Sequence, residues 1–266
     1  MPLRRHRESL ERLRAIYNWR RYVRPDPLQF LYDYDDPADR EVVGLIASSL
    51  AYGRVAQILR SVSVVLDRLG PRPARFVRDA PATQLRRSFA DFRHRFCNGR
   101  NIAGLLSAAG RGIGQYGSLG ACFAAGQSRD SSTVISAMGA FVETMQTFSG
   151  HSCSHLLPDP AKGSACKRLN LFLRWMVRRD DVDPGGWENV SPAQLVIPLD
   201  VHMHRIARAF GATRRAQPNL RAALEVTEAF GRVCPEDPVR YDFCLTRLGI
   251  RPEATVDSFL RSCGVL

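Results

Sequence analysis

Lysine is almost missing from this chain. Of its 38 Lys and Arg residues only two are Lys, Lys162 and Lys167. A guanidinium stays protonated and is a poor nucleophile, so any amine chemistry is confined to those two positions. Long apolar runs are missing too, which excludes a membrane-spanning helix. The opening segment "MPLRRHRESLERLRAIYNWRRYVRP" is basic but lacks the apolar stretch of a signal peptide, so a cytoplasmic, nucleoid-associated protein is expected. The seven cysteines, at 97, 122, 153, 166, 234, 244 and 263, form no CxxC pair. Their odd number and scatter argue against a disulfide framework, a zinc site or a cysteine-ligated cluster. No sustained alternation of apolar and polar residues marks a sheet, and there is no internal repeat or low-complexity tract.

What is present is Arg, apolar residues and helical periodicity. The 266 residues are 45% hydrophobic, enough for one large domain or two lobes sharing an interface. A net charge of +12 points to a polyanionic partner, with nucleic acid the default. An apolar stripe at Leu10, Leu13, Ile16 and Tyr17 predicts a helix over 7–23. Residues 36–70 read as two helices, the first buried on all sides around Val42–Leu50. "SVSVV" (61–65) is the best strand candidate, but the helical pattern around it prevails. Further helices are expected at 72–79, 83–96, 101–115, 118–125, 131–147, 164–178, 192–196, 201–211, 217–231, 237–248 and 253–262. Turn-rich linkers are expected at 70–73, 126–132 and 178–192. The reading is all-α: a central lobe over 71–200, a terminal lobe from 1–70 plus 201–266, and a cleft between them.

Two residues carry the chemistry. Lys167 lies in "KGSACKRLNLFLRWMVR" (162–178), where Gly163 marks a turn and a helix follows. Its place in the first helical turn, with some burial, disfavours the ammonium and is expected to lower its pKa, as an amine nucleophile requires. Asp200 follows "VIPL" and precedes an amphipathic helix with Met203, Ile206, Ala207 and Phe210 on one side and His204, Arg205 and Arg208 on the other. Asp is a good N-cap in that position. An amine and a carboxylate facing one cleft can also cleave an N-glycosidic bond: the amine attacks the sugar carbon and the carboxylate stabilises the positive charge that develops there.

"GSACKRLNLFL" resembles the second half of the helix–hairpin–helix in base-excision DNA glycosylases of the endonuclease III and 8-oxoguanine glycosylase kind. "IPLDVHMHRIAR" is similar to the segment carrying their catalytic aspartate, and "LIASSLAYGRVAQI" (45–58) to their buried helix and the loop that probes DNA. The three occur in the family's order, and the chain looks like a little-characterised bacterial branch of that superfamily. Three departures stand out. Ala165 replaces the second hairpin glycine, the stretch "SHLLPDPAKG" (154–163) where the first hairpin helix belongs contains two Pro, and the Lys-to-Asp interval is lengthened by the insert at 178–192, as it also is in archaeal 8-oxoguanine glycosylases.

The resemblance implies two helical lobes with a helix–hairpin–helix and a central cleft. It implies Lys167 as nucleophile and Asp200 as catalytic aspartate. Gly163, Ser164, Ala165 and Cys166 match the turn that holds a DNA phosphate, and Leu50, Tyr52 and Arg54 the loop that fills the gap left by a flipped base. His202 and Arg205, on the exposed side of the Asp200 helix, are candidate DNA contacts. Trp187, Tyr241 and Phe243 are candidate walls of a base pocket. Cys234, Cys244 and Cys263 fall short of the four ligands of the family's iron–sulfur cluster, so no cofactor and no metal are expected. The expectation is a monomeric, bifunctional glycosylase and abasic-site lyase acting on double-stranded DNA with an oxidised base, 8-oxoguanine first, and not on membranes. The alternatives are a monofunctional glycosylase for another lesion that uses Asp200 alone, and a non-enzymatic DNA-binding protein. A helical protein-interaction module is a third alternative, separable by its lack of nucleic-acid affinity.

Overall fold

The computed structural model describes residues 3–128, 131–248 and 255–265. Part of the linker expected at 126–132 and the start of the helix expected at 253–262 lie outside them. The apolar periodicity translates into helices. α1 (Arg7–Tyr17) buries Leu10, Leu13 and Tyr17, but Ile16 from the expected stripe is 52% exposed. The helix stops at Tyr17, and only a 3-10 turn (Arg20–Tyr22) follows within the span expected to be helical. The 36–70 pair is α2 (Pro37–Ser49) and α3 (Val55–Leu69), with 61–65 inside α3. Asp36 caps α2 by accepting from Ala38 N at 2.9 Å, and Pro37 occupies the first position, where its missing N–H costs nothing. Val42, Val43, Leu45, Ile46 and Ala47 are all buried, so α2 is the central helix its sequence announces.

The chain continues through α4 (Pro73–Asp79) and α5 (Ala82–Ser88). The helix expected over 83–96 ends there. In its place β1 (Arg93–His94) and β2 (Cys97–Asn98) form a two-stranded antiparallel hairpin, the one sheet among the described residues. Its register pairs Arg93 with Asn98 and His94 with Cys97. Next come α6 (Gly99–Tyr116), α7 (Leu119–Ala124) and α8 (Ile135–Phe148). Then α9 (Lys167–Val177), α10 (Val201–Ala209), α11 (Leu220–Gly231), α12 (Asp242–Arg247) and α13 (Val256–Ser262) complete the mostly helical fold. The helix expected at 192–196 is one 3-10 turn, Pro192–Gln194.

One continuous hydrophobic cluster runs from Leu3 to Leu260. α9 lies across α2 at Gly44, where a Cβ would come within 3.3 Å of the Phe172 ring. α1 packs against α12 and the segment before it. Glu11 on α1 accepts from Arg240 Nε at 3.1 Å and from the Tyr241 hydroxyl at 2.7 Å, just before α12. The insert at 178–192 is not a solvated linker. Gly185 N and Trp187 N donate to the Trp175 and Met176 carbonyls, which folds the insert back on α9 and buries Val182, Asp183, Trp187 and Val190. No helix among the described residues is long and apolar enough to cross a membrane.

Candidate active site

α9 begins at Lys167 itself. Before it, the chain runs through turns at 151–156 and a 3-10 turn (Pro160–Lys162), so no α-helix directly precedes the Lys-bearing turn. Gly163 sits at φ +78°, and Cys166, unusually for a side-chain-bearing residue, at φ +47°. These two left-handed residues bracket the turn. Gly163 N donates to Pro160 O and Cys166 N to Ser164 Oγ, so two of the four amides expected to hold a phosphate are engaged within the chain. Ala165 is buried, and its carbonyl accepts from Asn170 Nδ2 at 3.0 Å, fixing the start of the helix. Burial pushes the Cys166 thiol up to about 11, which leaves it protonated and unreactive.

Asp200 is the N-cap of α10, accepting from Met203 N through Oδ1 at 2.9 Å. Its other oxygen, Oδ2, lies 3.2 Å from Lys167 Nζ. The two side chains are 36% and 22% exposed, at the surface yet within reach of a ligand. Every other ion pair among the described residues has Arg as its cation. Lys162 is exposed on the 3-10 turn. His202 and Arg205 are exposed on α10 as expected, with Arg205 paired to Asp257 at 2.5 Å. His204, placed on the polar side by the sequence pattern, is instead buried, with Nε2 3.0 Å from Arg215 O.

Behind the pair lies a buried charge network that sequence reasoning missed. Arg174, two turns along α9 from Lys167, binds Asp242 Oδ2 at 2.5 Å and Asp183 Oδ1 at 3.2 Å. Arg178 binds Asp183, and also Asp180 and Asp237 at 2.9 Å each. Burial pushes the Asp242 carboxyl up to about 6, against the pull of Arg174 and with the nearby Asp200 charge adding to the rise. α9, the folded-back insert and α12 are therefore joined by paired charges. α12 in turn packs on α10, which carries Asp200. In sequence Arg178, Asp180 and Asp183 fall in an expected turn-rich linker; no local signal distinguishes a buried Arg from a solvated one.

Three expectations for the base pocket are corrected. Trp187 is 5% exposed, sits against Phe123 and Phe172, and donates from Nε1 to Glu41 Oε1 at 2.6 Å. Tyr241 is buried with its hydroxyl committed to Glu11, and Phe243 is buried beneath the Arg247 and Arg174 guanidinium groups. All three are core residues. The probe loop is divided. Leu50 is fully buried at the end of α2 and cannot enter DNA, whereas Arg54 is exposed. Tyr52 is half-buried under the guanidinium of Arg168, the residue after the candidate nucleophile. Arg168 also donates to Ser49 O at 2.8 Å and His155 O at 2.5 Å.

Among the described residues no group of three His, Cys, Asp or Glu side chains is placed to hold a metal ion. No curated protein and no solved structure matches the chain. A family model described as a protein of unknown function, DUF2400, matches residues 26–251, a span that contains Lys167, Asp200 and every element that positions them, and the chain belongs to that family.

Proposed function

We propose that this protein is a DNA glycosylase with abasic-site lyase activity, in which Lys167 is the nucleophile and Asp200 the charge-stabilising carboxylate. The observation that carries the reading is the 3.2 Å approach of Lys167 Nζ to Asp200 Oδ2 at the starts of two helices. Its support is the net charge of +12, which suits a polyanionic substrate. In this reading α9 presents Lys167 from its first turn, Lys162 meets a phosphate, and the damaged nucleotide is turned out of the duplex because its sugar carbon is inaccessible in the stack.

The chemistry is an amine displacement. The Lys167 lone pair forms a bond to C1′ as the C1′–N bond breaks and its electron pair leaves with the base. Asp200 stabilises the positive charge on the sugar and takes the proton lost by the amine. Ring opening gives a Schiff base between Nζ and C1′. Loss of a C2′ proton then expels the 3′ phosphate by β-elimination, and water hydrolyses the imine to free the amine. The preference for an oxidised base, 8-oxoguanine first, rests on the family resemblance alone.

Borohydride reduction tests the reading, because it converts the imine into a permanent amine bond. Wild type and Lys162→Gln should be captured on duplex DNA containing 8-oxoguanine or an abasic site, and Lys167→Gln should not. Absence of any adduct with wild type would sink the lyase assignment; excision without an adduct would favour hydrolysis assisted by Asp200 alone.

A further inference from the structure

Phe96 is 79% exposed, the highest of the exposed large apolar side chains among the described residues. It stands at the tip of the β1–β2 hairpin, in a two-residue loop with Arg95. Arg95 adopts φ +51°, a left-handed conformation that such loops normally give to Gly. Strain of this kind persists only where the surroundings hold it. Here they do: a Cβ on Gly53 would lie 2.8 Å from Arg95 Cδ, so the loop before α3 closes directly over the Arg95 side chain.

The hairpin is braced to the candidate active site. His94 is fully buried, its Nε2 3.1 Å from Tyr52 O and its Nδ1 2.9 Å from the Ser61 hydroxyl. Since the Tyr52 carbonyl can only accept, Nε2 carries the proton and Nδ1 accepts from Ser61. Tyr52 returns a hydrogen bond from its hydroxyl to His94 O at 3.1 Å, with the two rings 4.7 Å apart. The other side of Tyr52 carries Arg168, adjacent to Lys167. Around the tip, Arg54, Arg93 and Arg95 are exposed, the Arg95 guanidinium lying 5.6 Å from the centre of the Phe96 ring, and none of the three is paired with a carboxylate within the described residues. Val55, at the start of α3, adds a second exposed apolar side chain.

We propose that Phe96 is the wedge that enters the DNA stack beside the extruded nucleotide, with Arg54, Arg93 and Arg95 holding the flanking phosphates. This inference rests on the glycosylase reading. An exposed ring flanked by unpaired arginines suits a base stack bordered by phosphates: the ring supplies the stacking surface and the guanidinium groups the counter-charge. It also assigns the gap-filling role to the hairpin, since the neighbouring 50–54 loop has Leu50 buried and Tyr52 occupied.

The test uses full-length protein and a duplex carrying a tetrahydrofuran abasic analogue next to 2-aminopurine, whose fluorescence rises when it unstacks. Wild type should raise the signal several-fold; Phe96→Ala should lose most of that rise and slow excision about 10- to 100-fold, with Phe96→Trp restoring both. Phe96→Ala should lower trapping on a single-stranded abasic oligonucleotide far less than it lowers excision from a duplex, because no stack has to be opened. Its melting temperature should also be that of wild type, because the side chain packs against little. Equal 2-aminopurine signals for wild type and Phe96→Ala would overturn the wedge while leaving the glycosylase reading intact. Absence of duplex binding by wild type would overturn both. A dimer of this chain that depends on Phe96, with no change in 2-aminopurine, would assign the ring to self-association instead.

Discussion

Asp200 caps a helix and, in the proposed reaction, stabilises charge, and substitution can divide the two. As N-cap it accepts from Met203 N, and as a charge it faces Lys167. Asn caps a helix about as well as Asp, so Asp200→Asn should leave unfolding free energy within about 0.5 kcal/mol of wild type, whereas Asp200→Ala should lose about 1 kcal/mol. In the proposed reaction the charge is worth more. A carboxylate about 3 Å from a developing cation contributes about 1 kcal/mol at the dielectric constant of water and about 5 kcal/mol at the effective value near a protein surface. Asp200, at 22% exposure, falls between these limits. Asp200→Asn should therefore slow single-turnover base excision on the order of 10²- to 10³-fold. Trapping on a preformed abasic site should fall less, because the aldehyde is already open and no oxocarbenium charge develops. Excision by lesion-oligonucleotide gel assay, paired with urea unfolding, reads both quantities. Excision by Asp200→Asn within about threefold of wild type would refute the electrostatic role. So would a loss that merely tracks stability across the Asn and Ala variants.

Two further expectations follow from the buried charges. Trp187→Phe removes one of three donors to the buried Glu41 carboxylate, leaving Leu119 N at 2.8 Å and Gly120 N at 3.1 Å; it should cost about 1–3 kcal/mol in urea unfolding while excision per folded molecule stays unchanged. Loss of excision at full stability would restore Trp187 to the base pocket. Burial raises the Asp180 carboxyl, but Arg178, the Val182 and Asp183 amides and Asn18 override it and hold the group at about 2, below its usual 3.8. Because the folded value is the lower one, its contribution is complete above the unfolded value and is lost as pH falls toward 2. Of roughly 2.5 kcal/mol, about 1 kcal/mol should disappear between pH 5 and pH 3, and Asp180→Asn should lack that part of the slope in denaturation midpoints. Equal slopes for the two proteins would refute it.

The helices were legible because long segments repeat their apolar residues with the helical period, and because Asp200 announces a helix start. The β1–β2 hairpin was not. Strands of two residues offer no alternation to detect, and "FRHRF" reads equally well as the end of a helix. Leu50 was misplaced because one residue separates the buried end of α2 from the loop. Trp187 was misplaced because Gly185 and Gly186 look like loop residues whether or not the loop folds back on the core. The Lys167–Asp200 pairing was legible for a different reason: a chain this poor in Lys marks its amines by rarity, and a capping Asp has its side chain fixed at a helix mouth.

That rarity bears on why the pair exists. A strut between helices is served better by Arg, whose planar fork binds a carboxylate through two N–H groups. This chain uses Arg in that way throughout: Arg174 reaches from α9 to Asp242 of α12, and Arg178 from the end of α9 to Asp237. α9 is thus already secured by two guanidinium groups, both nearly excluded from solvent. A third strut at the exposed end of the same helix adds little, since partly solvated ion pairs contribute about 0–1 kcal/mol. An Arg there would supply that contribution equally well. What it cannot do is release a proton and form a bond to carbon, and this is the property that distinguishes Lys167 from the cations of the other ion pairs among the described residues.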